Sequence, residues 1–244
     1  MTNGIFDERV AAVYDKHASE MYVDAMLVPT VEFLADLAGD GRALEFAIGT
    51  GRVALPLRVM GVDVSGIELS RPMVDQMLTK QGAERIPVTI GDMATTRVDG
   101  SFRLVYLVYN TIGNLLTQDE QVECFGNAAA HLEPGGTFVI EVVVPSLRRL
   151  PLGESFVPFD ITASHLGIDE YDVANQTLIS HHYWISDGRA TTFDSPHRYA
   201  WPAEYDLMAR LAGMRLRERW SNWHREPFTS ESTSHVSVWE KPLL

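Results

Sequence analysis

Between Arg42 and Val144, five short apolar runs alternate with helical stretches, and no other feature of the chain constrains its fold as strongly. Arg42–Ile48, Val62–Glu68, Pro87–Ile90, Phe102–Tyr109 and Gly136–Val144 read as strands. The stretches Arg52–Met60, Arg71–Lys80 and Gln118–Leu132 between them read as helices. Near-continuous apolar strands joined through helices predict a parallel sheet covered on both faces, since each crossover lays a helix over the sheet. Upstream, residues 1–40 predict a helical arm, whose second helix carries Val31, Leu34, Leu37 and Ala38 and stops at Gly39-Asp40-Gly41. After Pro145 the alternation ends. Residues 171–201 are rich in β-branched and aromatic side chains around Asp187-Gly188, a dipeptide suited to a two-residue hairpin turn. Residues 146–201 are therefore expected to form an inserted antiparallel unit after the fifth strand, acting as a lid, substrate or dimer element. A helix (Ala203–Ala212) and strands Met214–Trp220 and His235–Glu240 then complete a seven-stranded, mostly parallel α/β sheet, with 41–145 and 202–244 as one domain.

Composition narrows the function classes. Twenty basic against 33 acidic residues leave a net charge of −13, which removes the positive footprint that nucleic-acid binding needs. No apolar stretch is long enough to span a bilayer, and charges interrupt the first 30 residues, so neither a membrane nor a secretory route is expected. The single cysteine, Cys124, excludes an intramolecular disulfide and falls in a helical pattern, as a buried inert thiol would. A cytoplasmic protein is the expectation. Histidine spacing and the acidic residues give no metal constellation.

The segment Leu44-Glu45-Phe46-Ala47-Ile48-Gly49-Thr50-Gly51-Arg52 sits where the first strand turns into the first helix. Glycines there admit close backbone approach, and the helix start offers N–H groups to an anion. Gly49 to Ala54 also satisfies the dinucleotide fingerprint G-x-G-x-x-G/A, with Glu68 roughly 20 residues on, where an acid binds ribose hydroxyls. A nicotinamide-dependent short-chain oxidoreductase is thus a competing reading. Against it, none of the eight tyrosines has a lysine four positions on, so the Tyr-x-x-x-Lys pair of those reductases is missing.

Glu45 inside the first strand, Gly91-Asp92-Met93 after the third and Leu132-Glu133-Pro134-Gly135-Gly136 before the fifth separate the readings. Over residues 40–145 the chain resembles the class I methyltransferases that use S-adenosylmethionine, with one departure: Ala47 stands at the first glycine of their motif. The resemblance implies a Rossmann-like fold and S-adenosylmethionine as cofactor, with S-adenosylhomocysteine as product. It further implies that Gly49 and Gly51 pass under the methionine moiety, that Ala47 keeps the close approach, and that Glu45 holds the ammonium end. Glu68, followed by Leu69, would accept the ribose hydroxyls, Asp92 the adenine amino group, with Met93 against the ring. Tyr109 and Asn110 would line the methionine end from the fourth strand. Tyr14-Asp15 and Tyr22 in the arm, together with the antiparallel insertion, are similar to the layout of the sugar-amine N-methyltransferases, with Tyr14 and Tyr22 as cofactor-side residues. A non-catalytic partner subunit of this fold is a third reading, opposed by the intact Glu45, Gly49, Gly51, Glu68 and Asp92.

Methyl transfer from a sulfonium needs positioning above all, and a base only where the nucleophile brings a proton. With Asp187-Gly188 as the turn, His181 falls opposite Asp194, His182 opposite Phe193 and Trp184 opposite Thr191. His181 and His182 are the candidate bases, and since adjacent strand residues face opposite ways, only one of them can look toward the cofactor. Trp223 and Arg225, in the loop after the sixth strand of the large sheet, are candidates for walling the acceptor pocket. The expected reaction is methyl transfer to an oxygen or nitrogen nucleophile of a small-molecule acceptor, with a homodimer as the expected assembly.

Overall fold

The computed structural model describes residues 6–17, 23–186 and 188–243. Two sheets organise it. The larger has seven strands: β1 (Arg42–Phe46), β2 (Asp63–Glu68), β3 (Val88–Ile90), β4 (Phe102–Leu107), β5 (Leu132–Val143), β10 (Arg215–Trp220) and β11 (Ser234–Glu240). Their spatial order is β10-β11-β5-β4-β1-β2-β3, and β11 runs antiparallel to both neighbours. The order reverses at β1, between β4 and β2, which opens a crevice at the carboxyl ends of the strands.

Helices cover both faces, and the alternation of side chains along each strand sorts the core into two layers. Leu44 and Phe46 of β1 and Val105 and Leu107 of β4 belong to the layer shared with α5 (Gln118–His131) and α6 (Pro202–Leu211), through Cys124, Phe125, Tyr205 and Met208. Ala43, Leu104 and Tyr106 belong to the opposite layer with α2 (Asp24–Ala38) and α3 (Ala54–Val59), through Val31, Phe33, Leu34 and Leu57. Local signals start the helices where packing needs them. Thr117 and Glu120 close a capping box on α5, and the Ser70 hydroxyl caps α4 (Arg71–Leu78) by accepting from Met73 N–H. Cys124 is buried in α5, where burial pushes its thiol pKa up and makes it inert.

The second sheet has four antiparallel strands in the order β6-β7-β8-β9: Phe156–Ile161, His165–Asp172, Thr177–Ser186 and Arg189–Arg198. Sequence reading places one hairpin here; two further strands, β6 and β7, precede it. They escaped because Pro158 in β6 and the polar His165, Asp169 and Glu170 in β7 break the apolar alternation that marks a half-buried strand. The hairpin register is the expected one, with His181 opposite Asp194, His182 opposite Phe193 and Ser186 opposite Arg189. Gly188 takes φ +72°, the left-handed conformation a two-residue turn requires. The sheet anchors through Arg198 at the end of β9, which donates to Gln121 Oε1 at 2.6 Å and Glu204 Oε1 at 2.6 Å.

Two strands of the large sheet end earlier than their apolar runs. β1 stops at Phe46 because Ala47 turns left-handed at φ +51°, and β4 stops at Leu107, just before Tyr109 and Asn110, both at φ +58°. Non-glycine residues in this region cost about 1 kcal/mol or more each, and such strain gathers at ligand-binding edges. Both breaks lie at the crevice.

Candidate functional site

Glu45 and Glu68 end on the crevice from adjacent strands, and both are buried, at 3% and 6% exposure. Glu45 sits beside Tyr106 in the parallel register of β1 and β4, so its Oε2 accepts the Tyr106 hydroxyl at 2.8 Å. Burial pushes the Glu45 carboxyl up to about 8, against the lowering effects of Tyr106 and the nearby Arg52 guanidinium. Burial favours the protonated carboxyl, held by the Tyr106 hydroxyl and the Ala54 backbone, and a nearby cation such as an ammonium or sulfonium group would favour its ionised form. Glu68 is held differently. Its Oε2 accepts Gly49 N–H at 2.8 Å and its Oε1 accepts Ser70 N–H at 2.8 Å, so the carboxylate ties the glycine turn to the start of α4. Burial raises its pKa, opposed by these backbone donors.

The turn between them needs its glycines. Gly49 and Gly51 take φ +56° and +78°, and a Cβ on Gly51 would lie 2.9 Å from Met77 Cγ. Ala47 accepts the same left-handed backbone that the family motif gives to glycine. Arg52, unremarked in the sequence reading, directs its guanidinium over the Tyr109 ring at 5.5 Å and stands within electrostatic reach of Glu45 and Tyr14.

The arm closes over this turn. In α1 (Glu8–His17), Asp15 accepts the Thr50 hydroxyl at 2.6 Å and pairs with Lys80 at 2.6 Å. Lys80 also donates to the Thr50 carbonyl at 2.8 Å, and Ser70 Oγ donates to the Phe6 carbonyl at 2.6 Å. Tyr14 lies against the site: burial lifts its phenol to about 12, with Tyr109, Arg52, Glu68 and Asp15 within electrostatic reach. Tyr22 lies outside the described residues.

Asp92 caps its own turn, Oδ1 accepting Ala94 N–H at 2.8 Å. Asn127 of α5 pins the turn by donating to the Met93 and Thr96 carbonyls at 2.7 and 3.0 Å. Leu69 is half-buried beside Glu68. Met93 is buried at 1% exposure in the core layer of Phe46 and Leu107, so its side chain packs there rather than lying open to a ligand. The Tyr109-Asn110 corner is held from β5. Glu141 Oε2 accepts Tyr109 N–H at 3.0 Å, its carbonyl accepts Asn110 N–H at 3.1 Å, and Asn110 Oδ1 accepts Val143 N–H at 2.6 Å. Asn110 therefore braces the corner instead of capping the Thr111–Asn114 turn with its side chain.

Three expected site residues go elsewhere. The Trp223 indole donates to Glu141 Oε1 at 2.7 Å and packs edge-on against Phe33 of α2. Arg225 lies over the Phe33 ring and pairs with Asp36 at 3.0 Å. They line a cavity of about 520 Å³ along α2 that contains none of the crevice residues. Their loop does leave the sheet at the crevice edge, but apolar contact with α2 draws it onto the helix layer. His181 has Nδ1 2.8 Å from Asp194 and Nε2 3.1 Å from Glu170. Two carboxylates can only accept, so both ring nitrogens donate, the pKa rises, and no lone pair is left to act as a base. His182 lies on the other face of β8, which near the anchored end carries Leu178 against buried Val157, Tyr171 and Tyr199. Among the described residues no group of histidine, cysteine and acidic side chains is arranged to hold a metal, and no helix is long and apolar enough to cross a membrane.

Comparisons with known proteins identify the family. Residues 43–136 match the family described as "Methyltransferase domain". The chain is similar to the CcbJ methyltransferase of Streptomyces caelestis, at 34% identity over 99% of this chain and 100% of that one, with a TM-score of 0.86. It is also 27% identical to the cypemycin N-terminal methyltransferase of a Streptomyces species over 94% of this chain and 98% of that one. A dTDP-3-amino-3,4,6-trideoxy-α-D-glucopyranose N,N-dimethyltransferase of Streptomyces venezuelae matches at 35% over 40% of each chain. The chain belongs to the class I, S-adenosylmethionine-dependent methyltransferases. It is a methyltransferase enzyme, and the oxidoreductase reading falls away.

Proposed function

We propose that the crevice between β1, β2 and β4 binds S-adenosylmethionine and delivers its methyl group to a nitrogen or oxygen nucleophile of a small molecule. The observation that carries this reading is the pair of buried carboxylates flanking a turn of left-handed residues. The cofactor supplies an electrophilic methyl on a sulfonium centre. Glu45 takes the cationic methionine end, whose positive charge favours the ionised form of its buried carboxyl. Glu68 turns from the Gly49 and Ser70 N–H groups toward the ribose hydroxyls, while Asp92 takes the adenine amino group. Gly49, Gly51 and Ala47 keep side chains out of the cofactor's path, Arg52 takes the methionine carboxylate, and Tyr109, Asn110 and Tyr14 close the methyl end.

The acceptor class is supported by relatives named for an amino sugar and for the N-terminus of cypemycin. His182, rather than His181, serves as the base for an acceptor that brings a proton. Trp223 and Arg225 are left out, being engaged with Glu141, Phe33 and Asp36. Work in the cytoplasm, supported by one buried free cysteine, and pairing of two copies through exposed Phe156 and Ile161 complete the reading. Sedimentation velocity checks the pairing.

Calorimetric titration with S-adenosylhomocysteine tests the core of the proposal. Micromolar binding, weakened in Glu68→Ala, is the expected result; no binding by the wild-type protein overturns it. Labelled methyl transfer to a panel of aminosugar nucleotides, free peptide N-termini and the matching alcohols then identifies the acceptor.

A further inference from the structure

The face of the four-stranded sheet that carries His182 holds a hydrogen-bonded chain of three side chains from three strands. Asp160 Oδ2 of β6 lies 2.5 Å from His165 Nδ1 of β7, and His165 Nε2 lies 3.0 Å from His182 Nδ1 of β8. A carboxylate accepts only, so His165 carries its proton on Nδ1 and, as a neutral ring, presents Nε2 as an acceptor. That acceptor is met by a proton on His182 Nδ1, which makes His182 Nε2 the unprotonated ring nitrogen. The Asp160 end is the wetter one, with side-chain exposures of 17% at His165 and 40% at Asp160. Around His182 stand Trp184, parallel at 5.2 Å, Phe159 edge-on at 5.3 Å, and Phe193 at 6.0 Å.

The same face leads to the crevice. His197 of β9 is half-buried and held neutral, lowered to about 4 by desolvation and by His182. Its ring atom Nδ1 lies 3.7 Å from where a Cβ on Gly113 would stand, in the turn that follows Tyr109 and Asn110. Asp169 of β7 faces the same way, engaged by the Ser180 hydroxyl at 2.6 Å. Asp160, His165, Asp169 and His197 are thus the titratable groups that neighbouring strands turn toward His182, and Asp160 is the carboxylate joined to it through His165.

We propose that Asp160, His165 and His182 form a proton relay for the methyl acceptor, and that this acceptor is an amine arriving as its ammonium. The inference rests on the methyl-transfer reading above. An ammonium has no lone pair, and imidazole is matched to its proton far better than to that of an alcohol. The amine proton passes to His182 Nε2, the Nδ1 proton of His182 passes to His165 Nε2, and the Nδ1 proton of His165 passes to Asp160 and water. The freed nitrogen pair forms the N–C bond as the S–C bond breaks, its electrons staying on sulfur. His182 is the catalytic residue; His165 and Asp160 are positioning residues that set its tautomer and drain its charge.

Ring-nitrogen NMR of the ¹⁵N-labelled full chain with S-adenosylhomocysteine at pH 8 tests the relay without an acceptor. The expected result is an Nδ1–H tautomer at both His165 and His182, lost at both in Asp160→Ala and kept in Asp160→Asn, which retains an acceptor oxygen. An Nε2–H tautomer at His182, or tautomers indifferent to Asp160→Ala, overturns it. With the panel, amines are methylated and the matching alcohols are not, and His182→Gln lowers kcat at least 100-fold with KM within threefold. Methylation of the alcohols alone, or a kcat within threefold for His182→Gln, refutes the proposal. Absence of S-adenosylhomocysteine binding defeats the methyltransferase reading instead, so the two failures are distinct.

Discussion

The crevice of the large sheet and the faces of the small sheet both carry polar clusters, yet they are built by opposite means. At the crevice, backbone does most of the work: left-handed residues at 47, 49, 51, 109 and 110, and N–H groups of Gly49, Ser70 and Tyr109 aimed at carboxylates. On the small sheet the groups are side chains joined to side chains across strands, as in Asp160–His165–His182 and Glu170–His181–Asp194. A site made of backbone requires glycine and particular turn spacings. One made of cross-strand pairs requires only that the register be right, and almost any sequence can hide it.

The contrast sharpens first at Glu45, whose burial is the most costly. Its carboxyl titrates near 8 in the folded protein against an ordinary 4.5, so the native state holds a proton that the unfolded state has released. Ligand-free stability therefore falls as pH rises from about 4.5 to 8, by up to a few kcal/mol at about 1.4 kcal/mol per unit. In Glu45→Gln this fall is removed: the variant and wild type should unfold together near pH 5 and diverge toward pH 8, with the variant the more stable. Parallel thermal unfolding curves across that range would show that Glu45 is not buried as described.

Glu68→Ala comes next. It strips a charged acceptor from two backbone donors and from the ribose, worth roughly 1 to 3 kcal/mol in cofactor affinity. Calorimetry should read a weakening of roughly fivefold to 160-fold in S-adenosylhomocysteine binding. Glu141→Ala breaks the strut behind the crevice, orphaning Tyr109 N–H and the Trp223 indole. The expected loss is about 1 to 2 kcal/mol, or roughly 2 to 8 °C in Tm for a chain of this size. An equal loss in cofactor affinity would show that the strained corner is part of the site, and an unchanged affinity that it is scaffold alone. The smallest effect belongs to Ala47→Gly, where relief of the left-handed alanine is offset by glycine's greater freedom when unfolded. Stability should rise by at most about 1 kcal/mol, and a measured drop would mean that the alanine methyl packs favourably.

Legibility followed the same division. Glu45, Gly49, Gly51, Glu68 and Asp92 stood out because glycines and acids at strand ends have few other reasons to occur in that order. The wrapping of the arm over Thr50 through Asp15 and Lys80 was not readable, since nothing local distinguishes those residues from ordinary surface charges. Arg52 was passed over inside a motif read for its glycines. His165 and Asp160 were missed because their strands were missed, and Asn127 and Glu141 because a single buried polar residue in a helix or strand has no spacing to reveal it.

What the chain's own order of residues determined was the alternation that builds the parallel sheet, the turn chemistry at Gly49–Gly51, and the hairpin register that sets His181 against Asp194. These are local or nearest-neighbour matters, governed by side-chain periodicity and allowed backbone angles. Tertiary structure alone decided that Arg225 would stack on Phe33, that His181 would be locked between two carboxylates, and that His182 would join His165 and Asp160. Each of these depends on which face meets which partner across tens of residues, and that choice is made by packing the whole core at once, which no short segment of sequence encodes.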